Sequence, residues 1–80
     1  MTRENVLIEL TKIIEEVLDE SGLVINENTT ASDVEDWDSI MHIEIVVEIE
    51  EFYGVKFKTK QIEDFKNVGN IISAIIETKS

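Results

Sequence analysis

Ser39 stands between Asp38 and Ile40 at the head of an apolar-periodic run, and His42 follows three residues later. A serine near a histidine raises nucleophilic catalysis. That chemistry needs a base held by a third group, an oxyanion hole and a substrate cleft. A chain of 80 residues has no spare elements from which to build them. His42 then reads as an ordinary, partly exposed helix residue. The surrounding carboxylates raise a second chemistry, a calcium loop. Counted from Asp33, position twelve is Glu44, as an EF-hand requires, but position five is Trp37 and position six is Asp38. The sharp turn at position six demands glycine. Counting from Asp36 puts Ile40 at position five and fails as well. The third chemistry is covalent modification of the Ser39 hydroxyl. Its plain competitor is a helix N-cap, the commonest role of serine before such a run. Asp38 could cap equally well and would free that hydroxyl. A phosphodiester on Ser39 would then lie at the positive end of the helix dipole, near unpaired backbone N–H groups.

These residues must be positioned by helices. Val6, Leu7, Leu10, Ile13, Ile14, Val17 and Leu18 recur at three- and four-residue steps, which predicts a first helix over residues 2–20 ending near Gly22. Residues 23–38 break the pattern with Asn26, Asn28, Thr29, Thr30, Ser32 and Asp33, which favour turns and caps. A loop this long is often functional. Leu23, Val24, Ile25, Val34 and Trp37 are expected to pin it to the core. A second helix opens at Asp38-Ser39 and runs to Phe52 or Tyr53, with Gly54 ending it. Val55 and Phe57 turn inward from an extended connector, and Thr59 caps a short helix over residues 60–65. Asn67 caps the last helix, where Val68, Ile71, Ile72, Ile75 and Ile76 share one face. The expected fold is all-α: a small four-helix bundle, three main helices plus one short one, with a long loop after the first.

Composition narrows the function. Eighty residues make one domain, 1–80, with about 5,000 Å² of folded surface. An apolar fraction of 42%, including 13 isoleucines, is too high for a disordered acidic tail. There is no cysteine and one histidine, which excludes thiolate and multi-histidine metal sites. No apolar run is long enough for a membrane span or signal peptide, so a reducing, cytoplasmic location is expected. Eighteen acids against seven bases give a net charge of −11, which argues against nucleic-acid binding. Such a charge also destabilises the folded state by self-repulsion. Salt or divalent cations should therefore raise the Tm, and a Tm unmoved across a magnesium titration would contradict this.

The run Asp38-Ser39-Ile40, followed by His42-Ile43-Glu44-Ile45-Val46 and Ile49-Glu50-Glu51, resembles the acyl carrier proteins. Their signature is Asp-Ser-Leu/Ile opening an acidic second helix, and the resemblance covers nearly the whole chain. It implies that Ser39, with Asp38 as its motif neighbour, carries a 4′-phosphopantetheine arm. A phosphopantetheinyl transferase would install the arm from coenzyme A with magnesium. The arm's thiol would hold an acyl group as a thioester, so the chain would be a carrier and not an enzyme. Glu35-Asp36-Trp37 replaces the glycine-containing stretch usual before the motif in fatty-acid carriers, and Met41 stands where a polar residue is usual. Both departures count against a housekeeping fatty-acid role, and the form Trp37-Asp38-Ser39-Ile40 with His42 resembles carriers of specialised pathways, which implies a lipid, polyketide-like or polysaccharide-associated one. The rival reading is a small acidic interaction module in which Ser39 is only an N-cap.

Residues 33–51 hold eight acids and no lysine or arginine. Such segregation suits fast, salt-sensitive docking on a basic patch. By resemblance, Glu44, Glu48 and Glu51 would make the ionic contacts, with Ile40, Met41 and Val47 as apolar anchors. The partners would be the transferase, an acyl-loading ligase or acyltransferase, and a downstream synthase or transferase. An acyl chain would fold back near Ile43, Val46, Ile62 and Ile72.

Overall fold

The computed structural model describes residues 1–79 and contains four α-helices: α1 (Arg3–Leu18), α2 (Ser39–Tyr53), α3 (Thr59–Glu63) and α4 (Val68–Lys79). A 3₁₀ turn, Ala31–Asp33, interrupts the loop after α1. No strand occurs among the described residues, so the all-α expectation holds. The accessible surface is 5208 Å², close to the size-scaling value.

Each long helix contributes a stripe of side chains to one core. Val6, Leu10 and Ile14 of α1, Ile45 and Ile49 of α2, and Val68, Ile72 and Ile75 of α4 are fully buried. Val55 and Phe57 of the connector turn inward as expected, and Trp37 of the loop joins the same cluster. Tyr53 is buried with its hydroxyl donating to Glu9 Oε1 at 2.7 Å, which ties the end of α2 to α1. Burial first, and then that bond, push its pKa up.

Local boundaries differ from expectation where periodicity gives no signal. Helix α1 stops at Leu18, and Asp19 at φ 54° is its left-handed C-cap, so Gly22 lies beyond the helix. Gly54, at φ 66°, does end α2. Helix α3 starts at Thr59 and ends at Glu63. Thr59 is therefore not its cap; Lys58 is, and its N–H donates to the Gln61 side chain at 2.8 Å. Asn67 does cap α4, accepting from the Asn70 N–H at 2.9 Å, and the Asn70 side chain accepts in return from the Asn67 N–H. Val24 does not pin the loop: it is 92% exposed, while Leu23, Ile25 and Val34 pack against the core.

The long loop is anchored to the first residues of α1 and of α4. The Arg3 guanidinium binds both oxygens of Glu27, and also reaches Ser73 Oγ and the Gly69 carbonyl. That bond holds the Glu27 carboxyl below the usual carboxylate range. The N–H groups of Val68 and Gly69, unpaired donors of the first turn of α4, donate to the carbonyls of Thr29 and Glu27 at 2.9 and 2.8 Å. Gly69 is buried against this strap, and a Cβ there would stand 3.0 Å from the Glu27 carbonyl oxygen. Glycine is needed for close approach, because backbone cannot yield as a flexible side chain can. Gly69→Val should destabilise the fold by about 1–3 kcal/mol, the range for overpacking. Equal Tm values for variant and parent in thermal denaturation would rule that out.

Candidate functional site

Helix α2 begins at Ser39, and the residue that caps it is Asp38. The Asp38 side chain accepts the Met41 N–H at 2.9 Å, and its carbonyl accepts the His42 N–H. Ser39 is therefore not the N-cap. It is exposed, and its hydroxyl has no hydrogen-bond partner among the described residues. The N–H groups of Ser39 and Ile40 are also without partners there. An exposed hydroxyl thus stands beside two free donors at the positive end of a 15-residue helix. These features fit a negatively charged ester on this oxygen.

Beside Ser39 opens a cleft of about 600 Å³ between α2 and the segment carrying α3. Trp37, Ile43, Ile62, Phe65 and Ile71 supply its apolar surface, and Ser39, His42 and Asn67 its polar edge. Of the residues expected at an acyl groove, Ile43 and Ile62 line this cleft. Val46 and Ile72 do not: they are 3% and 0% exposed and belong to the core behind it.

Sequence reasoning missed the role of His42. It is half-buried, accepts the Trp37 Nε1–H at Nδ1 over 3.2 Å, and stacks on that indole with ring centroids 6.0 Å apart. Phe65 meets the imidazole edge-on with ring centroids 6.4 Å apart and packs edge-on against Phe57 at 5.3 Å. One row of rings thus joins the loop, α2 and the residues after α3, and its Trp37, His42 and Phe65 line the cleft. No periodicity signals this, since Trp37 precedes the helix and Phe65 follows a different one.

The residues expected to meet partners are spread along α2. Ile40 and Ile43 are exposed beside Ser39, Glu44, Val47, Glu48 and Glu51 are exposed further along, and Met41 is half-buried against the core. Glu44, Val47 and Glu48 share a shallow hollow of about 450 Å³ with Glu16 and Val17 of α1. The α1 pair was not foreseen, because it comes alongside α2 only through helix packing. Glu51 lies outside this hollow.

Comparison with known proteins decides the family. A model for the phosphopantetheine attachment site matches residues 9–75. The chain belongs to the acyl carrier protein family. It is 32% identical over 74 residues to an acyl carrier protein of Rhodococcus erythropolis, covering 92% of this chain and 81% of that one. It is 35% identical over 75 residues to the meromycolate extension acyl carrier protein of Mycolicibacterium smegmatis, covering 92% and 75%. Its fold superposes with a TM-score of 0.85 on the solution structure of a holo acyl carrier protein from Geobacter metallireducens, at 32% identity over 91% of this chain and 84% of that one. As a carrier it holds acyl groups on phosphopantetheine and performs no catalysis itself. Carriers of this family work with a phosphopantetheinyl transferase and with acyl-handling enzymes. No helix among the described residues is long and apolar enough to cross a membrane.

Proposed function

We propose that Ser39 is the attachment point of the arm and that the carrier serves specialised lipid biosynthesis. One observation carries the assignment: Asp38 does the capping, so the Ser39 hydroxyl stands exposed and unbonded at the head of α2. The rival interaction module requires Ser39 to be the cap and loses its premise. Once attached, the arm supplies a thiol that holds the acyl group as a thioester. The chain's own residues orient it. The free N–H groups of Ser39 and Ile40 lie at the helix terminus, where they favour the standing negative charge of a phosphodiester on Ser39. Trp37, Ile43, Ile62 and Phe65 offer apolar surface to an acyl group at the cleft. Val46 and Ile72, sealed in the core, are left out of that role. The exposed acids Glu44, Glu48 and Glu51 steer the carrier toward basic surfaces, with Val47 and Ile40 as apolar contacts and Met41 as a half-buried support. These surfaces belong to the transferase, a loading ligase or acyltransferase, and a downstream synthase or transferase. The specialised pathway is supported by Glu35-Asp36-Trp37 ahead of the motif and by similarity to the meromycolate extension carrier.

The test is mass spectrometry after incubation with coenzyme A, magnesium and a broad-specificity phosphopantetheinyl transferase. The expected result is a gain of one arm, mapped by fragmentation to the peptide containing Ser39. An arm mapped to another serine, or no gain by a folded protein, would overturn the assignment.

A further inference from the structure

Val24 is the most exposed of the large apolar side chains, at 92%. Its position is built. The preceding residue, Leu23, packs toward the core and donates its N–H to Glu15 Oε2 at 2.9 Å. Ile25, on its other side, also packs inward. Val24 is thereby held outward on one wall of a hollow of about 310 Å³ on the first loop, whose apolar surface includes Leu23, Ile25 and Val34. The remaining lining residues, Glu20, Asp33, Glu35 and Asp36, are all acids. No lysine, arginine or histidine lines it. This hollow is separate from the acids of α2 already assigned to docking.

We propose that this hollow is a second protein-docking point, one that seats an arginine side chain of a basic-faced partner enzyme. Three features favour that occupant. The hollow lies at the small end of the ligand-pocket range, which begins at about 300 Å³, and so suits one side chain better than a folded-in segment. Its surface is half aliphatic and half carboxylate, which matches a long apolar stem ending in a charged, planar fork. A bare metal ion would gain nothing from the valines, and no group of acids among the described residues is arranged to hold one. An acidic rim also repels anionic lipid headgroups. The carboxyls of Glu20 and Asp36 are hydrogen-bonded to each other, which raises the Glu20 pKa, with Asp19 and Glu35 adding to the rise. Asp36 precedes Ser39 by three residues, and the exposed acids of α2 follow it. A partner engaged at both places would be held at points on either side of Ser39 in the chain, which constrains its orientation about the arm.

The test is an amide NMR titration of the intact chain with N-acetyl-arginine amide at low salt. Shifts should concentrate at residues 20–25 and 33–36 and saturate there before the α2 acids respond. Asp36→Asn should weaken binding at the hollow by about two- to fivefold, the scale of one exposed ionic contact, and Val24→Ser should weaken it by removing apolar surface from under the side-chain stem. Glu48→Gln should leave it unchanged. Shifts spread evenly over all exposed acids, or affinities unmoved by both hollow variants, would overturn the proposal. Both variants alter exposed side chains, and their unperturbed core resonances report that they remain folded. The titration needs no arm on Ser39, so its outcome stands apart from the loading experiment.

Discussion

Ser39→Ala should abolish phosphopantetheine loading entirely while leaving the fold intact. The two effects separate because capping and attachment fall on different residues. Asp38 holds the Met41 N–H, and no hydrogen bond among the described residues depends on the Ser39 hydroxyl. Alanine is also a good helix former in the first turn. The Tm of the variant should therefore lie within about 4 °C of the parent, the scale of an exposed substitution without special contacts in a domain of this size. Asp38→Ala makes the opposite change. It keeps the hydroxyl but removes the cap, at a cost of about 1 kcal/mol. Intact-mass measurement of loading, paired with thermal denaturation, reads both variants. Loading that survives in Ser39→Ala would move the attachment site elsewhere, and a collapse of its Tm would return the capping role to the serine.

Ile72→Ala should be among the most damaging single truncations. The residue is fully buried in α4, within the cluster shared with α1 and α2. Removing most of a buried isoleucine side chain costs about 2–5 kcal/mol, since the surrounding helices close the void only in part. A small domain has about 5–15 kcal/mol in total, and repulsion among the excess acids reduces it further. The Tm should fall by about 4–8 °C for each kcal/mol lost. Ile40→Ala, at a position 68% exposed, should barely move it. Denaturant titrations of the two variants check the contrast. A small effect at Ile72 would mean that the residue faces an accessible groove after all.

The helices were legible because their information is local. Three- and four-residue spacing of isoleucine, leucine and valine located α1, α2 and α4. Gly54 and Asn67 marked termini through backbone conformation and side-chain capping that operate within a few residues. The Asp-Ser-Ile motif and the acidic second helix were equally visible, and with them the family. Features depending on distant partners were not. One cap was open between neighbours: whether Asp38 or Ser39 caps α2 depends on which side chain reaches the Met41 N–H, and composition is silent on that. The α3 cap was expected at Thr59 and falls at Lys58, whose backbone N–H is held by the Gln61 side chain. Nothing local marks Gly69 as required; its need follows from the Glu27 carbonyl, which would stand 3.0 Å from a Cβ there. Val46 and Ile72 carry the same apolar label as Ile43 and Ile62. Only the packing of α4 onto the bundle put the first two in the core and left the second two at a cleft beside Ser39. His42 became part of that cleft's wall by meeting Trp37 and Phe65 from two other segments. Periodicity reports that a side chain seeks apolar surroundings. It does not report which surroundings, because they are supplied by residues far away in the chain and chosen by how the helices pack.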